Sequence, residues 1–270
     1  MNRWELFWSR VTFSKTVSVA IVLFLFAPLF VVVANSFNAN NMLLSWGGFT
    51  LEWYAVAFGN AELMFSFTQS LYVAVWVMVG TTFVATCAAL GVRAYDAKGR
   101  AALGSLIILR MVLPEVVAVS AVFIFGIQFD IPRGYLLLIA AQIVLNSGFA
   151  ILMIRARSET VSTLYENAAA DLGASPLRVY RRVLLPLLAP ALAVSALLTF
   201  TFSFDAVTSA VLLGGPEVQT LTVFLMSMVR RGVTAEANAI SVLLTLFNLV
   251  MLAAIVKLTG VRGLVGMTQR

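Results

Sequence analysis

The chain has no histidine, one cysteine and few charges: 12 acidic and 18 basic residues in 270. Without histidine there is no imidazole to bind a metal ion or to move protons near neutral pH, which excludes His-based metal sites and His general bases. One cysteine, Cys87, excludes an internal disulfide; it lies in an apolar run, where a small buried residue is the expected role. No G-x-x-x-x-G-K stretch occurs. None of the three lysines, Lys15, Lys98 and Lys257, follows a glycine, so the chain carries no P-loop to hold ATP. Few acids lie within the apolar runs, and no catalytic set of residues can be assembled.

What is abundant is apolar. Hydrophobic residues make up 61% of the chain, charged residues 11%, and the mean hydropathy is +0.98. A soluble domain carries about 25% charged residues. Several runs exceed the roughly 18 residues that cross a bilayer. The expected class is an all-α, multi-pass membrane protein in one domain, residues 1–270, with spans at about 17–36, 66–91, 101–127, 134–154, 184–204 and 237–258. The run Val17–Ala34 is long for a signal peptide and no A-x-A pattern follows it, so it is expected to remain as the first span.

The net charge of +6 does not point to nucleic acid, because the basic residues cluster at the ends of the apolar runs, as membrane topology requires. With both termini in the cytoplasm, 14 basic residues fall inside (Arg3, Arg10, Lys15, Arg93, Lys98, Arg100, Arg155, Arg157, Arg178, Arg181, Arg182, Lys257, Arg262 and Arg270). Arg133, Arg230 and Arg231 fall outside, and Arg110 lies within the third span. The outer loop 37–65 has no lysine or arginine and holds Trp46, Trp53, Tyr54 and Phe58, which suit a membrane–water interface. In the outer segment 205–236, Gly214-Gly215-Pro216 predicts a turn or re-entrant bend. Small residues spaced for helix contact are Ala85/Ala89, Ala189/Ala193 and Ala191/Ser195; packing within one subunit is the simpler expectation for them than a dimer seam. Pro186 and Pro190 should bend or loosen the fifth span.

One polar interruption, TLYENAAADLGASPLRVYRRVLLP from Thr163 to Pro186, separates two membrane-length runs. Thr163 and Glu166 have capping-box spacing for a helix starting at Leu164. Ala168, Ala169 and Ala170 favour helix, Gly173 is placed as a C′ residue, and Ser175-Pro176 reads as N-cap and N1 of a second helix. The expected object is helix, bend, helix, with small side chains at the elbow. By itself the pattern also fits a plain connecting loop.

The segment resembles the EAA loop of the inner-membrane permease subunits of ATP-binding-cassette importers. Ala168-Ala169, Gly173, Val183, Leu185 and Pro186 stand at the motif's offsets; the motif's Glu falls on Asn167, with Glu166 one residue early. The resemblance implies a type I importer permease fold and a cytoplasmic coupling loop at about 155–183. Glu166, Asn167, Ala168, Ala169, Asp171, Gly173, Ala174, Ser175, Pro176 and Arg178 would dock into the ATPase subunit. It implies a second permease subunit, two ATPase subunits that hold the ATP and magnesium, an external substrate-binding protein, and location in a bacterial inner membrane. This chain would be non-catalytic and bind no cofactor or metal itself.

Leu113-Pro114-Glu115-Val116-Val117, Phe202-Ser203-Phe204-Asp205, Gly215-Pro216, Ser227-Met228-Val229, Gly232-Val233 and Glu236-Ala237-Asn238-Ala239 resemble the spermidine/putrescine permease subunits; Trp46-Gly47-Gly48-Phe49 and Trp53-Tyr54 extend the likeness. A second acid often follows the first in that subfamily, whereas Ala206 follows Asp205 here. The resemblance implies a polyamine cargo and a different chain as the second permease. Importers of phosphonates, opines, ferric ions or sulfate share much of the pattern. A stand-alone secondary transporter would call for inverted repeats, and none is evident.

An ionisable residue inside a span is a functional candidate by default. Glu115, about midway along the third span, is either a pathway carboxylate for a cationic amine or a structural partner of Arg110. Asp205 is either a pathway or gate residue or a solvated helix end. Asn146 and Gln142 either line a path or hydrogen-bond neighbouring helices.

Overall fold

A computed structural model of the chain describes residues 3–91 and 97–259; Arg93, Arg262 and Arg270, used above for orientation, lie outside the described residues. Among the described residues the structure is helical, apart from one isolated antiparallel bridge between Asn38 and Phe49. The order is α1 (Arg3–Ser36), α2 (Glu52–Gly59), α3 (Ala61–Gly91), α4 (Ala97–Val112), α5 (Glu115–Gln128), α6 (Tyr135–Thr160), α7 (Leu164–Asp171), α8 (Pro176–Val179), α9 (Leu185–Phe204), α10 (Val207–Leu213), α11 (Leu221–Arg231) and α12 (Ala235–Thr259).

Among the described residues, five helical stretches are long and apolar enough to cross a membrane: Lys15–Ser36, Ala61–Gly91, Tyr135–Thr160, Pro176–Phe204 and Ala235–Lys257. The expected third span, 101–127, is corrected. It is no single helix but α4 and α5, bent by 102° at Leu113-Pro114. Proline lacks the N–H that the carbonyl of Arg110 would accept in a continuous helix, and its ring would press on that carbonyl. Counted as one broken span, the pair brings the total to six.

The chain forms two compact units, Met1–Ala61 with Leu225–Leu246 and Glu62–Phe224 with Phe247–Arg270. In the first, the loop after α1 is a polar knot. The Asn38 side-chain oxygen accepts from the N–H groups of Asn40 (3.0 Å) and Gly47 (2.8 Å), and its carbonyl accepts from Trp53 Nε1 at 2.8 Å. Phe37 stacks on Phe49 with ring centroids 5.1 Å apart. Asn41 satisfies the start of α12: its carbonyl accepts from Ala235 N–H at 2.9 Å and its side chain from Glu236 N–H at 3.2 Å. The aromatic residues expected at an interface are therefore partly consumed in building this loop.

Among the described residues, two apolar clusters lie in the second unit. One gathers Val73, Val77, Val119, Leu137, Leu138, Ala141, Leu213 and Val218; the other gathers Ala85, Ala89, Ala150, Ile151, Ile154, Val161, Leu184 and Leu188. Ala85 and Ala89 are buried, as are Ala191 and Ser195, so these pairs do mark packing seams. Ala189 is exposed and Ala193 only half-buried, so that expected pair is not one. The fifth span begins well before residue 184, because α8 runs without interruption through a π-helical turn, Tyr180–Leu184, into α9. There the Leu185 N–H reaches back to the Tyr180 carbonyl, which widens the helix just ahead of Pro186. This is the loosening that a proline at that point requires.

Gly214-Gly215-Pro216 forms the expected turn. Gly215 has φ +68°, and a Cβ there would lie 3.1 Å from Arg133 Cβ and 3.2 Å from its carbonyl oxygen. The Gly134 N–H also bonds the Leu213 carbonyl at 2.9 Å, pinning α10 to the start of α6. Gly215→Ala is therefore expected to destabilise the protein by about 1–3 kcal/mol through strain and overpacking. Denaturation of the detergent-solubilised protein checks this; an unchanged midpoint would show that the turn tolerates a side chain.

Candidate functional site: an exposed elbow and a polar cavity

The elbow follows from local sequence. The capping box expected at Thr163 does not form. Thr163 has helical dihedrals (φ −63°, ψ −15°) and makes no side-chain cap bond, whereas a capping side chain needs an extended backbone. Ser162 does the work instead, its Oγ accepting from Leu164 N–H at 3.2 Å. At the other end the sequence is obeyed. Gly173 has φ +77°, its N–H donates to the Ala170 carbonyl at 2.8 Å, and Ala174 N–H donates to the Ala169 carbonyl at 3.0 Å. This pair of bonds is a Schellman motif, which closes α7 and turns the chain sharply. Ser175 is extended and Pro176 stands at N1 of α8; the Ser175 carbonyl, and not its hydroxyl, accepts from Arg178 and Val179 N–H at 2.9 and 3.0 Å.

None of α7 is buried. Asn167, Ala168, Asp171, Gly173, Ser175, Pro176 and Arg178 are exposed, while Glu166, Ala169 and Ala174 are half-buried. Sequence reading missed Leu172, 89% exposed, and Leu177, 76% exposed, which flank the bend. Leu164 and Tyr165 are exposed as well. The signal was present, in large apolar residues inside an otherwise polar loop. Such residues left in solvent mark an interaction surface.

The second feature is a cavity of about 650 Å³. The break at Pro114 opens one wall of it, with Arg110 and Met111 from α4 and Glu115 from α5. Gln142, Leu145 and Asn146 come from α6. Phe202 comes from α9, Asp205 from its C-terminal cap, and Ala206 to Ser209 from the start of α10. The three separate candidates Glu115, Asn146 and Asp205, far apart in sequence, thus share one space. None of the elbow residues lines it.

Some of its polar side chains are held by hydrogen bonds. Gln142 is buried; its Nε2 donates to Ser209 Oγ at 2.8 Å and its Oε1 accepts from Ser203 Oγ, tying α6 to α9 and α10. Both carboxylate oxygens of Asp205, which stays exposed, accept from Asn248 Nδ2, each at 3.0 Å. Glu115 sits in the first turn of α5, where the helix N–H groups favour a negative charge. Arg110 and Glu115 interact electrostatically without closing to an ion pair; among the described residues an ion pair does form between Arg155 and Glu159, at 2.8 Å. The volume falls within the roughly 300–1,000 Å³ of small-molecule sites. Two carboxylates, one guanidinium and neutral amides and hydroxyls share the lining with apolar side chains, a mixture able to hold a hydrogen-bonding cation.

Residues 80–260 match the sequence profile of a family described as "Binding-protein-dependent transport system inner membrane component". The chain belongs to this family. It is therefore a multi-pass inner-membrane component of a transport system. It is 29% identical over 235 residues to the spermidine/putrescine transport system permease protein PotC of Escherichia coli (strain K12), covering 87% of this chain and 89% of that one. It is 30% identical over 228 residues to the putrescine transport system permease protein PotI of the same strain, covering 82% and 81%. Among solved structures, a bacterial ABC transporter involved in import of the acidic polysaccharide alginate superposes with a TM-score of 0.74. The match covers 95% of this chain and 98% of that one; at 17% identity it carries the fold alone.

The Gln142 network generates a stability prediction. Gln142→Leu strands the hydroxyls of Ser203 and Ser209 and is expected to cost about 1–2 kcal/mol. Adding Ser203→Ala and Ser209→Ala should recover much of the loss, since no polar group is then left unpaired. Denaturation midpoints of the single and triple variants decide it; an equal loss in both would mean that packing, not hydrogen bonding, sets the effect.

Proposed function

We propose that this chain is a non-catalytic permease subunit of an ATP-driven, binding-protein-dependent importer, and that its polar cavity is part of the path for a polyamine such as spermidine or putrescine. The observation that carries this reading is the gathering of Glu115, Asp205, Asn146 and Gln142 around one cavity at a broken span. A carboxylate held inside a membrane span is expensive and is retained where it serves a charged cargo. The polyamine names of PotC and PotI support the same cargo.

The elbow, residues 164–178, is the coupling element. In this reading both termini and the elbow face the cytoplasm, and α7 with the bend at Gly173 sits in a separate ATPase subunit that binds the ATP and magnesium. Leu172 and Leu177 add apolar contact beside the EAA-like residues Asn167 to Arg178. Because α8 is continuous with α9, displacement of the elbow is delivered as a rigid push on the helix that ends at Asp205, beside the cavity. The remaining partners are a second permease chain, different from this one, and an external substrate-binding protein.

Uptake of labelled spermidine and putrescine, in cells with the gene, without it, and with Gly173→Asp, tests the proposal. The deletion should abolish uptake. The variant should reach the membrane at normal levels yet fail to transport, because the left-handed bend is strained and a charge enters the contact. Normal uptake by the variant would remove the coupling role from the elbow. Unchanged uptake in the deletion, in cells without another polyamine system, would remove the cargo.

A further inference from the structure

The polar cavity contains a cation of its own. Arg110 lines it together with the two carboxylates, and Arg110 also lines a second, mainly apolar cavity of about 530 Å³ between α3, α4 and α6. Its stem runs past the buried Gly148, where an added Cβ would lie 3.7 Å from Arg110 Cγ. Its Nε is buried and has no hydrogen-bond partner. The guanidinium is thus anchored by its stem, close enough to Glu115 to interact with it, and not consumed in an ion pair. A buried donor without a partner is costly, so it calls for an explanation beyond packing. This one sits on the segment broken by Pro114, four residues before the proline.

We propose that Arg110 is a specificity-determining residue: a tethered cation that reduces the negative field of Glu115 and Asp205, so that the path does not hold highly charged amines too tightly to release them. The inference rests on the polyamine reading above. With Arg110 present, the two carboxylates and one guanidinium leave a single net negative charge. Without it the cavity carries two. The attraction between cavity and cargo scales with the product of their charges. Spermidine, a trication at neutral pH, therefore gains more from loss of Arg110 than putrescine, a dication. In transport, stronger holding means slower release, because a path must bind its cargo weakly enough to let it leave.

The test uses the whole transporter in proteoliposomes, with saturating binding protein loaded with either amine, and reads turnover of each. In Arg110→Met the ratio of spermidine to putrescine turnover is expected to fall by on the order of threefold to tenfold. Arg110→Lys should keep the ratio near that of the unmodified protein. Arg110→Met combined with Glu115→Gln restores the net charge and should return the ratio toward the unmodified value, which a purely structural defect would not do. Equal loss for both amines in Arg110→Met, or no recovery in the double variant, would overturn the role of Arg110 while leaving the cargo reading intact. Failure of the unmodified transporter to move either amine would overturn both.

Discussion

The proline at position 114 is the constraint on which the cavity depends. A chain inside a bilayer must satisfy its backbone polar groups internally, and a continuous helix does this without help. Pro114 cannot supply its share, so the apolar run 101–127 divides into α4 and α5 with a 102° bend. Two consequences follow from this one substitution of a ring for an N–H. The cut creates a new helix N-terminus, which favours the negative charge of Glu115, and it leaves room that no apolar side chain fills. Irregular backbone inside a membrane is tolerated where it borders a water-filled space, and the lining here mixes polar with apolar side chains.

The elbow obeys the opposite logic. Its backbone needs are met locally, by the Schellman bonds at Ala169 and Ala170 and by the Ser175 carbonyl, so its shape does not rely on a partner. Its side chains are another matter. Leu172 and Leu177 stand in solvent beside residues too small to cover them. A rigid backbone with uncovered apolar side chains suits a part that is gripped from outside. The π-helical turn at Tyr180–Leu184 joins this part to α9 in one uninterrupted helical stretch.

Much of this was legible in the sequence, and the misses have physical causes. The helix–bend–helix at 164–179 was readable because a glycine followed by Ser-Pro leaves the backbone few alternatives. The cap at Thr163 was misplaced by one residue because Ser162 and Thr163 offer equivalent hydroxyls, and only the backbone dihedrals decide between them. The spans were found by their apolar length, but length says nothing of direction. Pro114 interrupts the run 101–127, but the 102° bend there and the packing of α5 against α10 are not encoded in hydropathy. Glu115, Asn146 and Asp205 were each singled out as polar residues at or near apolar runs. That they line one cavity is a long-range fact, accompanied by the Gln142 bonds to Ser203 and Ser209 and by the return of α10 after Asp205. Leu172 and Leu177 were overlooked because apolar residues in a membrane protein attract no notice until their exposure is known.

The most direct test of the central assignment separates cargo passage from energy supply. The transporter carrying Glu115→Gln and Asp205→Asn, reconstituted with its ATPase and binding protein, should lose spermidine transport while binding-protein-stimulated ATP hydrolysis persists, because the cavity is altered and the elbow is not. Spermidine transport at the unmodified rate in that variant would contradict the assignment of this cavity to the path.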